Sequence, residues 1–248
     1  MSGLWKEKRL MAALVMMLAM AVPCLAEMWR KSLPDKDVFY PGQTIPEKIL
    51  ERSGYERYFS IQEIPDTIFR LMQGRSYKSN CTVKRSSLRY LLCLHRDADG
   101  RCMVGEMVVN QKIAESVLRI LRELYLNHYP IERMRLVDYW NADDEQAMRD
   151  NNSSAFNFRL ISHTQKVTKH GMGMAIDINP KYNPYSKTLS DGRHIVEPAN
   201  GKAYLDRSRH TPYTIVKGDL CYALFKKYGF TWGGDWKSCK DYQHFEYK

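Results

Sequence analysis

The chain has 248 residues, 44% of them hydrophobic and 12% aromatic, a size that suits one domain of ordinary dimensions with room for a leader or an arm. Its formal charge of +10 draws it toward anionic surfaces such as cell-wall polymers, lipid head groups or nucleic acid. The basic residues are spread along the chain without a nucleic-acid motif, however, so a solvated basic surface is favoured over a dedicated polyanion site. Internal repeats and low-complexity tracts are absent, which sets aside repeat arrays.

From the beginning of the chain, Lys6, Lys8 and Arg9 precede an apolar run from Met11 to Val22, and Cys24-Leu25-Ala26 offers small residues at a cleavage site. Residues 1–26 read as a signal peptide. A bilayer-spanning helix needs about 20 apolar residues, more than this run supplies, and Pro23 fits a lipoprotein cleavage site poorly. The expectation is therefore export, with no transmembrane helix in the mature chain. Residues 27–60, punctuated by Pro34, Pro41-Gly42, Pro46 and Gly54, read as an N-terminal arm or linker before a domain over 61–248.

Leu88 to His95 and Met103 to Val109 flank an Asp-Gly turn signal at Arg96-Asp-Ala-Asp-Gly100, which predicts a hairpin. Asn110 can cap the helix that follows, whose apolar stripe is Ile113, Val117, Ile120, Leu121 and Leu124, ending before Pro130. Arg133 to Trp140 reads as a strand, and the polar stretch between Tyr182 and Thr214 as a long functional loop or insertion. A second helix is expected from about Asp219 to Gly229, with Leu220, Ala223, Leu224 and Tyr228 on its buried side. Downstream of Cys24, five cysteines without a C-x-x-C pair argue against a thiolate zinc cluster. Export would permit disulfides, with Cys221–Cys239 and Cys81 to Cys93 or Cys102 as candidates, against the alternative of reduced, buried thiols.

The chemistry gathers in two short segments. His170-Gly-Met-Gly-Met-Ala-Ile-Asp177 and Asp241-Tyr-Gln-His244 together supply three ligands of the kind zinc takes and one spare carboxylate. Met174 to Ile178 predicts a strand that holds Asp177, with His170 on a glycine-rich approach; Gln243 to Tyr247 predicts a final strand, with Asp241 at the turn before it. Taken singly, each residue has a duller use as core filler or surface polar group. His95, His128, His194 and His210 are read that way, and His163 is given a structural or substrate-side role.

Thr168-Lys-His-Gly-Met-Gly-Met-Ala-Ile-Asp177 resembles the S-x-H-x-x-G-x-A-x-D signature of the zinc D-alanyl-D-alanine carboxypeptidase family. That family includes the vancomycin-resistance dipeptidases and carboxypeptidases and the L-alanyl-D-glutamate endopeptidases of phage endolysins. Asp241-Tyr-Gln-His-Phe-Glu246 resembles the family's acid-x-x-His motif. Phe230-Thr-Trp-Gly-Gly-Asp-Trp236 and Asn151 to Arg159 resemble segments of the endopeptidase branch. The resemblance covers roughly residues 60–248, with Thr168 in place of the usual Ser and Asp241 where many members carry Glu.

The resemblance implies one zinc ion held by His170, Asp177 and His244, with Asp241 as general base. Zinc lowers the pKa of bound water to about 7, and Asp241 would take that proton and return it to the leaving amine. Arg159 is the candidate for stabilising the oxyanion, and Phe158, Thr168, Trp232 and Trp236 are candidates for substrate binding. The implied substrate is the peptidoglycan stem peptide in the periplasm or cell envelope of a bacterium, cut between L-Ala and D-Glu or at the D-Ala terminus, with no nucleic acid and no obligate protein partner.

Two readings compete: a non-catalytic wall-binding module, since the fold also resembles the signalling domain of hedgehog proteins, and a basic polyanion-binding protein. The expected fold is α+β, with a small, mostly antiparallel sheet carrying the zinc site and helices packed on one side.

Overall fold

The computed structural model describes residues 39–161 and 164–248. The expected signal peptide, the first part of the arm and His163 lie outside the described residues. Residues 39–60 are not an extended arm. They fold back on the hairpin, with Ile45, Leu50 and Tyr58 buried against Leu94, Cys102 and Val104. The Ile45 amide donates to the Cys102 carbonyl at 2.8 Å. The short helix α1 (Glu47–Ser53) is tied down by an ion pair between Glu47 and Arg96 at 3.1 Å.

Strand β1 (Ser60–Gln62) is followed by helix α2 (Asp66–Met72), then by the hairpin of β2 (Leu88–Arg96) and β3 (Cys102–Asn110). The three strands form an antiparallel sheet in the order β1-β2-β3. The hairpin turn is organised by Asp97, whose carboxylate accepts from the amides of Asp99 and Arg101 at 3.0 and 2.9 Å. Helix α3 (Gln111–Leu126) starts where the Asn110 side chain accepts from the Lys112 amide at 3.1 Å, an N-cap that satisfies one of the helix's unpaired donors. Ile113, Val117, Ile120, Leu121 and Leu124 are all buried along one face. Each contributes about 1.5–3 kcal/mol of hydrophobic burial.

The expected strand over 133–140 is only two residues long, β4 (Arg133–Met134), and the chain then tightens into a 3-10 turn at Val137–Trp140. The cause is a contact distant in sequence: the buried Asp138 carboxylate accepts from the Ser76 amide and hydroxyl, both at 3.0 Å. Helix α4 (Asp144–Arg149) and strand β5 (Asn152–Ser153), parallel to β4, lead to β6 (Ala175–Asp177). The stretch expected as a loop between 182 and 214 contains the hairpin of β7 (Tyr185–Thr188) and β8 (His194–Glu197), followed by a 3-10 segment at Ala199–Leu205.

Helix α5 (Leu220–Lys227) is capped by Asp219, which accepts from the Tyr222 amide at 2.7 Å. Its buried residues are Cys221, Leu224 and Phe225, so the helix is rotated from the expected face and Ala223 is exposed. Phe225 makes the difference, because its ring stacks on Phe245 with centroids 4.1 Å apart. Strands β9 (Phe230–Trp232), β10 (Lys240–Asp241) and β11 (His244–Tyr247) complete the described residues.

The architecture mixes helices with small antiparallel sheets, as an α+β fold does. The single sheet expected is divided into three three-stranded sheets, β1-β2-β3, β6-β11-β9 and β7-β8 with β10 on the free side of β7, and the two-stranded parallel β4-β5. Cys81, Cys93, Cys102, Cys221 and Cys239 are all free thiols, so none of the candidate disulfides is present; Cys93, Cys102 and Cys221 are buried as small apolar groups. Among the described residues, no helix is long and apolar enough to cross a membrane.

Candidate metal centre

His170 is carried on a tight turn fastened to the end of β3. The Asn110 amide donates to the Gly173 carbonyl at 2.8 Å, and Gly173 has a φ of +67°. A Cβ at this position would stand 2.8 Å from the Asn110 nitrogen, so only glycine meets both demands. Thr168 closes the turn from the other side, its hydroxyl accepting from the Gly171 amide at 2.9 Å.

Asp177 ends β6 and His244 begins β11, and the two are cross-strand partners in the antiparallel register. Directly opposed residues project from the same face of a sheet, which brings the carboxylate and the imidazole together. His170 Nε2 lies 3.1 Å from Asp177 Oδ2 and 3.1 Å from His244 Nδ1, while His244 Nδ1 lies 3.0 Å from Asp177 Oδ1. Donor atoms about 2.0–2.1 Å from a tetrahedral zinc stand roughly 3.3–3.4 Å apart, so the two ring nitrogens and the carboxylate are spaced nearly as such an ion requires. Further support comes from the orientation of the ring. The His170 Nδ1 faces the Ala155 carbonyl at 2.7 Å and donates its proton there, a contact that orients the ring and points Nε2 at the cluster. These three residues are the group among the described residues that could hold a metal ion.

The electrostatics are those of a tightly packed donor set. Burial works to raise the Asp177 carboxyl, but the imidazoles of His170 and His244 outweigh it and hold the group well below the usual carboxylate range. Burial likewise opposes the charged form of His244, yet its hydrogen bonds to Asp177 and Glu246 raise it to about 10. The Glu246 carboxylate lies 3.4 Å from His244 Nε2, on the ring edge away from Asp177.

Asp241 faces the same cleft from β10. Its Oδ1 is sealed from solvent and has no hydrogen-bond partner. Burial pushes its carboxyl up to about 7, with His244 and His170 restraining the rise and Asp177 adding to it. The Trp232-Gly233-Gly234 segment explains how Asp241 is placed: a Cβ on Gly233 would meet the Asp241 backbone oxygen at 2.5 Å and its Cβ at 2.7 Å.

The cleft of about 450 Å3 that contains these groups is also lined by Arg159, Thr168 and Tyr185. Arg159 is paired there with Asp144, which Asn157 holds through an amide hydrogen bond of 2.8 Å. Trp236 is half-buried, with its ring 5.4 Å from that of His244. Two sequence candidates lie elsewhere. Phe158 is 1% exposed, packed with Phe156 and Leu136, and Trp232 is buried in the main core with its indole N–H donated to the Tyr242 carbonyl at 2.8 Å. Neither ring lines the cleft.

Sequence reading also passed over Asp144, Tyr185, Glu197, Gln243 and Glu246, all of which line it. Glu246 had a usable signal, since alternation along a strand puts it on the face of His244. Tyr185 and Glu197 had none before the β7–β8 hairpin was known. A larger hollow of about 590 Å3 lies between β3 and β4, but its lining includes no set of converging metal donors comparable to the three at the cleft.

Residues 162–247 match a family model described as D-alanyl-D-alanine carboxypeptidase. No curated protein and no solved structure matches the chain. The matched stretch carries His170, Asp177, Asp241 and His244, leaves out Arg159 and the β1-β2-β3 sheet, and covers less than half of the chain. Over that stretch the chain is similar to a family of peptidases, which supports a hydrolase acting on peptide bonds of peptidoglycan.

Proposed function

We propose that the protein is an exported zinc metallopeptidase that hydrolyses peptidoglycan stem peptides, with the bond between L-Ala and D-Glu as its target. The observation that carries this reading is the convergence of His170 Nε2, His244 Nδ1 and the Asp177 carboxylate beside a buried, unpartnered Asp241 oxygen. His170, Asp177 and His244 would hold zinc, which when bound supplies Lewis acidity to a carbonyl and acidifies water. The Asp241 carboxylate accepts a proton from the attacking water and passes it to the leaving amine. Thr168 holds the His170 turn, Trp236 packs its ring beside His244, and Arg159, steadied by Asp144, faces the substrate's developing negative charge.

A second reading, carboxypeptidase action on the D-Ala terminus, is favoured by the description of the matching family. The motif Trp232-Gly233-Gly234 and the acid at 241 favour the endopeptidase. Mass spectrometry of fragments from defined muropeptides decides: a new D-Glu amino terminus supports the endopeptidase, and release of D-Ala alone supports the carboxypeptidase. Release of neither by zinc-loaded protein overturns the peptidase reading.

A further inference from the structure

Away from the cleft, the hollow of about 590 Å3 beside β3 and β4 has a lining suited to hydrogen bonding, and its charges cancel. Arg101, Arg133 and Arg135 are met there by Asp97, Glu132 and Asp150. The guanidiniums are engaged: Arg101 with Asp97 at 2.6 Å, Arg133 with Asp150 at 3.8 Å, and Arg135 with the buried Glu106 at 2.8 Å. Such a lining holds no net charge with which to draw a phosphate, an acidic polymer or a cation, and among the described residues the donor set that could hold a metal lies elsewhere. What it offers is planar, paired donors and acceptors, which suit a ligand carrying several neutral hydroxyl groups.

Two more features point to such a ligand. Tyr139 lines the hollow while 50% exposed, and the Arg135 guanidinium lies 4.0 Å from its ring centroid, which steadies the ring. Trp140 beside it donates its indole N–H to Asp150 at 2.8 Å. The turn that presents both rings is anchored by the contacts of Asp138 with Ser76. His95 forms part of the wall and is 3% exposed. Its Nδ1–H is donated to the Ile131 carbonyl, and burial keeps the ring neutral at pH 7, so Nε2 carries a lone pair. That nitrogen has no partner among the described residues, and it is not one of the unpartnered polar atoms closed to solvent. An acceptor left open in a buried wall calls for a donor from a ligand.

The hollow has a fixed relation to the cleft. Asp144, at the start of α4, lines the cleft, and Asp150, immediately after its end, lines the hollow. The helix between them rises about 9 Å. A polymer of sugars bearing peptide branches can therefore lie across both openings.

Resting on the peptidoglycan reading above for the identity of that polymer, we propose that the hollow is a saccharide site that grips the glycan strand while the cleft takes the peptide. A neutral sugar ring stacks on Tyr139, its hydroxyls meet the arginine–carboxylate pairs, and a hydroxyl or acetamido N–H donates to His95 Nε2. The chain thus holds its polymer at two points.

The test titrates a tetramer of N-acetylglucosamine into the full zinc-loaded chain by calorimetry, with wild type, Tyr139→Ala and Tyr139→Phe. Wild type is expected to bind with a Kd below about 10 mM. Tyr139→Ala should bind roughly three- to tenfold more weakly, and Tyr139→Phe, which keeps the ring, should match wild type. Because the ligand is uncharged, raising sodium chloride from about 50 to 200 mM should change the affinity by less than about twofold. No binding, equal binding by Tyr139→Ala, or a steep fall with salt would each overturn the proposal. Should Tyr139→Ala fail to fold, amide chemical shifts of wild type serve: changes gathered at residues 131–140 support the site, and changes gathered around His170 and His244 overturn it. Binding of the tetramer requires no cutting, so its outcome is separate from the cleavage of muropeptides on which the peptidase reading stands or falls.

Discussion

Gly233 is the seat of Asp241: a Cβ at residue 233 would stand 2.5 Å from the Asp241 carbonyl oxygen and 2.7 Å from its Cβ. Backbone cannot yield as a flexible side chain can, so Gly233→Ala must push β10 away from the cleft. His170, Asp177 and His244 are held by other elements, the β3-anchored turn and the β6–β11 pair. Gly233→Ala is therefore expected to lower peptide hydrolysis by about 10- to 100-fold while zinc stoichiometry stays near one, since a misplacement of about 1 Å costs that much in rate. Unchanged kcat/KM would show that the glycine has no part in placing the base.

Asp241→Ala separates an enzyme from a binding module. General base catalysis contributes about 100- to 10,000-fold, and the variant should lose that much activity on muropeptides while keeping its zinc and its circular dichroism spectrum. Wall binding that persists alongside undetectable turnover in the wild type as well would favour the module.

Removal of a donor acts on the metal first. His244→Ala and Asp177→Asn should each lose stoichiometric zinc by atomic absorption, and zinc should raise the thermal midpoint of wild type far more than of either variant, because a ligand that binds the native state alone stabilises it. An equal zinc-induced shift in all three proteins would place the metal elsewhere.

Far from the cleft, His95 sets an acid limit on stability. It is buried, with Nδ1–H donated to the Ile131 carbonyl at 2.7 Å, and burial lowers its pKa from 6.5 to about 4 despite that hydrogen bond. The unfolded chain binds a proton between these values and the folded chain does not. The contribution of His95 is thus complete above about pH 6.5 and is lost as pH falls toward 4, a change on the order of 3 kcal/mol. Urea unfolding from pH 7 to pH 4 should show this slope, and His95→Gln should flatten it; identical slopes would remove His95 as the cause.

Local signals made much of this fold legible. The stripe from Ile113 to Leu124 and the Asn110 cap define α3 without reference to anything distant, and the hairpin follows from the Asp99-Gly100 turn signal. The strand expected over 133–140 failed because Asp138 answers to Ser76, 62 residues away. At the candidate site, His170, Asp177, Asp241 and His244 were readable because their types and spacing are chemical. Phe158 and Trp232 were not, since an aromatic beside a polar motif looks the same whether it faces a cleft or a core.

The pairing of β11 with both β6 and β9 has a consequence for the order in which the molecule comes to life. Asp177 and His244 are 67 residues apart and meet through the pairing of β11 with β6, with β9 on the other side of β11. Until that strand is in place, the three donors do not exist as a set. On the proposed metallopeptidase reading, a chain in which β11 is not paired would lack the complete donor set.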